Sequence, residues 1–344
     1  MKVRNNVDIL QTLRDLNAHF GPSGEEEAIR KRIEEIAPGR IDEAHVDALG
    51  NLILRRKGSG PKVMFAAHMD SIGLIVTHIE KEGFLRFGNI GGFVADNILH
   101  ATVRFKNGTK GTIIPDQSAD RTKLTLNDLY VDIGAKDEAH ASSLVDIGDT
   151  AVYEAPVSET GDRVISAYLD NRISCVALLL AMQMLDEQNS DTQNDLYFVF
   201  TSQEEPGLRG AKPAAYAIDP DYCIVCDVTP ADDQPGTKHY GSTKLGGGAA
   251  IKIMDTSVIC HPEMVNRLRT LAIENGIAFQ NDVIQRGGTD AGPMHTTRAG
   301  VLTGGISVPT RYIHTPQEMA DKRDVQSCAK LIAAFAGSDL DKVR

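Results

Sequence analysis

An alternation of short apolar runs with helix-forming segments, interrupted once, is the feature of this sequence that most constrains its fold. The alternation occupies residues 1–72 and resumes at residues 160–344. Repeated strand–helix units are typical of a mostly parallel, mixed sheet with helices on both faces. We therefore predict an α/β fold formed by these two stretches together.

The predicted elements follow from apolar periodicity and from glycine and proline breaks. The predicted helices are residues 9–20, 25–36, 173–185, 210–217, 264–273 and 325–336, and the predicted strands are 51–54, 62–67, 196–200, 223–226, 250–253, 278–283 and 301–306. Ser23, followed by Glu26 three residues later, fits a capping box that would begin the second helix.

Residues 73–159 have a different texture. Glycine-rich and β-branched segments follow one another there, separated by turn signals such as Asn107-Gly108, and no helix of ordinary length fits. We predict a small, separate β-rich module inserted into the α/β part.

Charge and composition limit the partners. The sequence has 47 Asp and Glu against 36 Lys and Arg, a net charge of −11, which repels nucleic acid and anionic lipid, so we expect neither as a partner. No stretch approaches the roughly 18 apolar residues of a membrane span, and residues 1–8 lack the apolar part of a signal peptide. An odd number of cysteines, 5, is typical of a reducing compartment, so we expect a cytoplasmic protein.

Chemically active side chains stand where predicted strands end. They are His68 and Asp70 after the run 63–67, Asp170 before the long apolar helix, Glu204 and Glu205 after the run 196–200, Asp227 after the run 224–226, and His314 near the end of the chain. Open parallel sheets bind ligands beyond the carboxyl ends of their strands. We expect these side chains to form one site.

The residue types indicate a metal centre. Two imidazoles and three carboxylates suit zinc, cobalt or manganese, and they are too many for one catalytic zinc. They fit two ions about 3.5–4 Å apart that share a carboxylate and activate a water molecule. One of the adjacent Glu204 and Glu205 would then be a ligand and the other the general base, and Asp70 could orient His68.

These segments resemble, in order and over essentially the whole chain, the tetrahedral aminopeptidase family, which includes glutamyl, leucyl and deblocking aminopeptidases and proteins once called endoglucanases. The matching segments are Ala67-His68-Met69-Asp70, Leu169-Asp170-Asn171-Arg172, Thr201-Ser202-Gln203-Glu204-Glu205, Asp227, Gly287-Gly288-Thr289-Asp290 and Pro309-Thr310-Arg311-Tyr312-Ile313-His314. The resemblance implies a metal-dependent enzyme that removes N-terminal residues from peptides.

The resemblance also implies roles. His68, Asp170 and Asp227 would hold one ion; Asp170, Glu205 and His314 would hold the other, with Asp170 bridging. Glu204 would be the general base, and Asp70 would orient His68. Residues 73–159 would be a dimerisation domain, and the dimers would build a hollow homododecamer that admits short or unfolded peptides.

Three departures from the family pattern leave these ligands intact: Ser71 stands where Glu is frequent, Ser174 where Gly is common and Pro206 where Val is usual. They bear on substrate preference. The preferred N-terminal residue and the native metal stay open.

Other interpretations compete. A metal-dependent carboxypeptidase or deacylase could use the same scaffold, and a glycoside hydrolase would need two carboxylates without metal. Cys223 and Cys226 lie three apart on a strand, so we interpret them as buried thiols rather than a redox pair. Thr289 and Asp290 could either cap a helix or contact substrate.

Overall fold

The computed structural model of the chain describes residues 7–188, 192–237 and 243–340. Its helices are α1 (Ile9–Ala18), α2 (Glu27–Ile36), α3 (Glu138–Ser142), α4 (Leu169–Glu187), α5 (Ala211–Ile218), α6 (Pro262–Glu274), α7 (Ala291–His295) and α8 (Lys322–Ala336), with short 3-10 helices at Ala95–Ile98 and Leu126–Asp128. Its strands are β1 (Glu43–Val46), β2 (Leu52–Arg56), β3 (Lys62–His68), β4 (Gly73–Ile79), β5 (Leu85–Ile90), β6 (Thr102–Phe105), β7 (Lys110–Pro115), β8 (Leu129–Asp132), β9 (Thr150–Tyr153), β10 (Ser158–Thr160), β11 (Arg163–Ser166), β12 (Asp195–Thr201), β13 (Tyr222–Pro230), β14 (Ala249–Met254), β15 (Phe279–Val283), β16 (Leu302–Arg311) and β17 (Glu318–Asp321).

One large sheet organises the α/β part. Its strand order is β1-β2-β12-β3-β13-β16-β17-β11-β10, and β14 pairs with β16 and with β15. The central strands β12, β3, β13 and β16 run parallel. The strands β1, β2, β17, β11 and β10 join the sheet through antiparallel pairs, as does β14, which in turn pairs parallel with β15. The prediction of an α/β fold with a mixed sheet is confirmed, and its parallel centre brings several strand ends to one edge.

The core of this part lies between the sheet and its helices. Helix α4 is buried along most of its length and packs against α8, β3 and β13, as a helix that is apolar on all sides must. The ring of Phe65 stacks on Phe198 with centroids 5.5 Å apart and meets Phe335 edge-on at 6.3 Å. Strands covered on both faces read as continuous apolar runs, which is why β3 and β12 could be recognised from the sequence.

The second part is a closed antiparallel barrel with strand order β4-β5-β8-β7-β6-β9. It has its own apolar core, which includes Leu85, Val103, Phe105 and Val131, and closure leaves none of its strands as an open edge. The predicted separate β-rich module is therefore confirmed. Its bounds at residues 73 and 159 stay a prediction, and β10, at the second of these bounds, pairs with β11 of the large sheet.

The barrel is inserted between two segments that carry predicted site residues. Strand β4 begins three residues after Asp70, and the chain returns from β9 through β10 and β11 to Asp170 at the start of α4. Within the residues that the structure describes, no helix has the length and apolar character needed to cross a membrane.

Candidate metal centre

The predicted site residues converge at the carboxyl edge of the parallel strands. His68 is the last residue of β3, and Thr201, at the end of β12, lies beside it in register. Glu204 and Glu205 follow β12 in the next turn, and Asp227 lies within β13. Asp170 lies at the start of α4 and His314 follows β16. The parallel register therefore brings together side chains that are far apart in sequence.

The first group of side chains surrounds His68. The Nε2 atom of His68 lies 3.1 Å from Oδ1 of Asp170 and 3.7 Å from Oδ1 of Asp227. Potential ligand atoms of these three residues all lie within 4.8 Å of one another. A carboxylate oxygen of Glu204 lies 3.8 Å from the same imidazole nitrogen. Three donors thus face one point, with Glu204 beside them.

A second group shares Asp170 with the first. The Nε2 atom of His314 lies 3.1 Å from Oδ2 of Asp170 and 3.2 Å from Oε2 of Glu205, and potential ligand atoms of these three residues also lie within 4.8 Å of one another. The two oxygens of Asp170 therefore face two different imidazoles. A carboxylate with one oxygen in each of two donor groups is the arrangement expected of a bridging ligand.

Asp70 supports the centre from behind His68. Its Oδ1 atom lies 3.4 Å from Nδ1 of His68, and its two oxygens accept hydrogen bonds from the backbone N–H groups of Glu204 (3.1 Å) and Glu205 (3.3 Å). Burial opposes ionisation of Asp70, but the bonds from His68 and Ser23 lower its pKa below the usual value. One carboxylate thus ties the imidazole to the turn that carries both glutamates.

The predicted capping box is wrong. Its two residues, Ser23 and Glu26, instead form hydrogen bonds with Asp70 and with the turn that carries the two glutamates. The hydroxyl of Ser23 donates a 2.6 Å hydrogen bond to Oδ2 of Asp70. The carboxylate of Glu26 accepts from the N–H groups of Gly24 (2.8 Å) and Gln203 (3.1 Å). Helix α2 begins at Glu27 without a side-chain cap. The turn before α2 therefore stabilises Asp70 and the turn after β12, and does not cap the helix.

The backbone at the centre is irregular. Tyr168, Gln203 and His314 have φ values of 62°, 51° and 64°, a left-handed region that costs L-residues roughly 1–2 kcal/mol each. The peptide bond between Asp170 and Asn171 is cis. Next to this segment, the ring of Tyr168 stacks on that of Tyr153, at the end of the barrel, with centroids 5.8 Å apart. Left-handed φ values of non-glycine residues cluster at functional sites, where the surrounding packing holds them.

Negative charge is in excess here. Asp70, Asp170, Glu204 and Asp227 are buried, the Glu205 side chain is only 3 % exposed, and among the described residues no lysine or arginine pairs with them. Burial raises the pKa of Glu205 to about 6 and that of Glu204 well above its ordinary value. Burial opposes protonation of His314, yet Glu205 and Asp170 raise its pKa to about 12.

A cation would satisfy this site. Buried carboxylates are stable only when they are paired or coordinate metal, and a buried oxygen of Glu205, Oε1, has no hydrogen-bond partner among the described residues. Imidazole and carboxylate donors suit zinc, cobalt and manganese. The residues present therefore fit divalent metal.

The barrel forms one wall of the centre. The loop after β5 brings Gly91 so close that a Cβ atom there would lie 2.9 Å from Oε2 of Glu205 and 2.6 Å from Cγ2 of Ile72. Gly91 also has a φ of +76°. Only glycine meets both conditions, and its small size lets the loop of the inserted module pass close to the second donor group.

Two further carboxylates support the centre, and neither role could be assigned from the sequence. Asp290 occupies the N-cap position of α7, but its side chain forms no capping hydrogen bond; its Oδ2 accepts a 2.6 Å hydrogen bond from the hydroxyl of Thr201, and burial raises its pKa to about 7. Glu318 accepts the backbone N–H groups of Asp170 and His314. Glu318 lies four residues after His314, and this spacing matches no sequence motif that would have identified its role.

The structure also places the other residues that were singled out in the sequence. The Ser71 hydroxyl donates to the carbonyl of Gly21 at 3.3 Å, and that of Ser174, within α4, is buried without a partner among the described residues. Pro206 follows Glu205 directly. Their effect on substrate preference stays a prediction. Cys223 and Cys226 are buried free thiols, as expected.

Comparison with known proteins places this chain beside characterised families. The model of the M42 glutamyl aminopeptidase family matches residues 50–331. A lysyl aminopeptidase of Pyrococcus furiosus is 37% identical over 331 residues, which cover 92% of this chain and 93% of that protein. Among solved structures, an aminopeptidase of Desulfurococcus kamchatkensis superimposes with a TM-score of 0.90 at 36% identity, covering 95% of this chain and 94% of that one. The TET1 peptidase of Pyrococcus horikoshii, which can assemble into a tetrahedron or a large octahedral shell, has a TM-score of 0.84 at 33% identity, with 96% and 99% covered.

Proposed function

Because this chain belongs to the M42 glutamyl aminopeptidase family and is therefore a metal-dependent aminopeptidase, we propose that it acts through two divalent cations per subunit on short or unfolded peptides. The observation that carries the proposal is the position of Asp170, whose two oxygens each lie 3.1 Å from a different imidazole. No observation favours a carboxypeptidase, a deacylase or a glycoside hydrolase.

His68, Asp170 and Asp227 would hold one cation, and Asp170, Glu205 and His314 the other. The donor distances and the excess of buried carboxylates support this assignment. Zinc, cobalt and manganese all suit such a donor set, so the native metal is a matter for measurement. Bound cations would polarise the peptide carbonyl and lower the pKa of a water molecule.

Glu204 would act as general base. It lies beside the first donor group, and its carboxylate, 3.8 Å from His68 Nε2, is not needed to complete either group. During hydrolysis it would accept a proton from the attacking water and deliver it to the leaving amine as the C–N bond breaks. Asp70 would keep His68 and the Glu204 backbone in place through its hydrogen bonds.

The barrel would serve as a dimerisation domain, and the dimers would build a homododecamer in the cytoplasm. The assembly of the Pyrococcus horikoshii peptidase into a tetrahedron supports this proposal, as do the exposed apolar side chains of Val94 and Ile147 on the barrel. Five free buried cysteines fit a reducing compartment. Light scattering of the purified protein should give twelve chains per particle, and a stable monomer would contradict the assembly.

Glu204→Gln tests the proposed chemistry. The variant should keep its metal, because Glu204 completes neither donor group, and should lose about 10²- to 10⁴-fold in kcat, as expected when a general base is removed. Glu274→Gln, an exposed position on α6, is the matched control. A panel of aminoacyl chromogenic amides, assayed with zinc, cobalt and manganese after chelation, would identify the metal and the preferred residue. Full activity of Glu204→Gln would remove Glu204 from this role, and cleavage of N-acylated amides would favour a deacylase.

A further inference from the structure

Glu318 occupies an unusual position beside the proposed metal centre. It begins β17, is only 1% exposed, and directs its carboxylate toward the two ligand segments. Its Oε2 atom accepts the N–H of Asp170 at 2.9 Å and its Oε1 atom accepts the N–H of His314 at 2.8 Å. Each oxygen thus holds the main chain of one proposed ligand.

The two ligand segments need such support. Asp170 has non-helical φ and ψ values of −77° and 103° at the start of α4, and His314 has a φ of 64° after the end of β16. Neither N–H group lies in a regular helix or strand ladder. Glu318, by contrast, lies on a strand and pairs with Ser166 of β11. Its carboxylate therefore anchors the irregular backbone at Asp170 and His314 to a strand of the sheet.

An ionisable group is a costly way to satisfy two amides. A buried carboxylate loses its hydration, and among the described residues no lysine or arginine forms an ion pair with Glu318. Glutamine would be cheaper to bury, but it has a single acceptor oxygen and would direct an N–H toward one of the two donors. The arrangement thus requires both oxygens of a carboxylate.

We propose that Glu318 is a positioning residue that fixes Asp170 and His314 relative to each other, so that their side chains meet as ligands of the second cation. This inference rests on the proposed function. Groups that orient metal ligands change metal affinity by about 10- to 100-fold when they are removed, and we expect that effect here.

The test compares Glu318→Gln with Asp324→Asn. Asp324 is the matched control because it is a buried carboxylate that also accepts two backbone N–H groups, those of Gly246 and Gly248, both at 2.7 Å. Metal-free proteins are titrated with Co²⁺, and the visible absorption of the bound ion is recorded. We expect Glu318→Gln to bind the second Co²⁺ about 10- to 100-fold more weakly, with an altered spectrum, and Asp324→Asn to match the wild-type protein.

The outcomes separate the two proposals. If the wild-type protein does not bind two Co²⁺ ions, the proposed function fails and this inference with it. If it does, and folded Glu318→Gln shows wild-type affinity and spectrum, only the role of Glu318 is overturned. Should Glu318→Gln not fold, hydrogen–deuterium exchange of the metal-free wild-type protein decides: the amides of residues 170 and 314 should be protected, and exchange as fast as that of exposed amides would refute the role.

Discussion

The Nε2 atom of His314 lies 3.1 Å from Oδ2 of Asp170, although one residue follows β16 and the other begins α4. The other oxygen of Asp170 makes the equivalent contact with His68. One carboxylate therefore connects two imidazoles that belong to different parts of the sheet edge. Its loss should affect both donor groups at once, whereas loss of any other proposed ligand should affect one.

Asp170→Asn should abolish paired metal binding. An amide has one oxygen and no charge, so it cannot serve both groups. We expect the metal content, measured by mass spectrometry after dialysis, to fall from two ions per chain to below one. Asp219 is exposed and has a φ of 55°, which asparagine also tolerates, so Asp219→Asn should keep both ions. Two tightly held ions in Asp170→Asn would contradict the bridging role.

Ser23→Ala should slow catalysis moderately. The variant loses the 2.6 Å hydrogen bond to Asp70, and a loss of about 1 kcal/mol from the transition state corresponds to roughly a five-fold lower kcat. Ser327→Ala, which removes an exposed hydroxyl bonded to the Arg323 carbonyl, should leave kcat unchanged. Equal kcat values for the two variants would show that the contact with Asp70 is not functional.

Gly91→Ala should displace Glu205 of the second donor group, because Gly91 lies in the barrel loop next to it. The new Cβ atom would lie 2.9 Å from Oε2 of Glu205, and a displaced ligand should lower Co²⁺ affinity by about 10- to 100-fold. Gly148→Ala provides the matched control, because Gly148 also has a positive φ, +95°, but its Cβ would meet no described atom within 4 Å. Equal losses in both variants would attribute the effect to backbone strain alone.

Asp324 should make stability depend on pH in a defined direction. Burial raises its pKa to about 6 in the folded protein, above the value of about 3.9 expected when it is unfolded. Its contribution to stability is therefore fully present below pH 3.9 and is lost as the pH rises through 6.

Urea unfolding of metal-free protein at pH 4.5 and pH 7.5 measures this contribution. The free energy of unfolding of the wild-type protein, relative to that of Asp324→Asn, should fall by about 1–3 kcal/mol between these pH values. A difference that stays constant, or that rises with pH, would show that the pKa of Asp324 is not raised.

Most of the fold and the positions of the site residues could be predicted because they depend on strong patterns. The continuous apolar runs of β3 and β12 mark strands buried on both faces, and polar residues at their ends mark the edge where ligands bind. His68 and Glu204 could be assigned to one site on that basis. The pairing directions of the outer strands could not be assigned, because they depend on which strands the tertiary fold places side by side.

Asp70 was predicted as a supporting residue, but the supporting roles of Ser23, Glu26 and Glu318 were not, for a physical reason. Ser23 and Glu26 matched a local capping pattern, yet both bind residues brought near by the tertiary fold. Glu318 acts only on main-chain N–H groups, which every residue type except proline possesses, so its partners leave no trace in the sequence. Local sequence patterns therefore identify candidate ligand residues more readily than the residues that position them.

The insertion of the barrel between the segments that carry His68 and Asp170 has a thermodynamic consequence. Gly91 lies so close to Glu205 that an added Cβ would meet it, and Tyr153 stacks on Tyr168, two residues before Asp170, so the barrel packs beside the proposed centre at two separate points. Any event that favours one placement of the barrel, such as contact with another subunit, must favour one arrangement of the ligands as well. Where that arrangement is the one that binds metal in the proposed centre, metal binding would strengthen the proposed subunit association by the same factor.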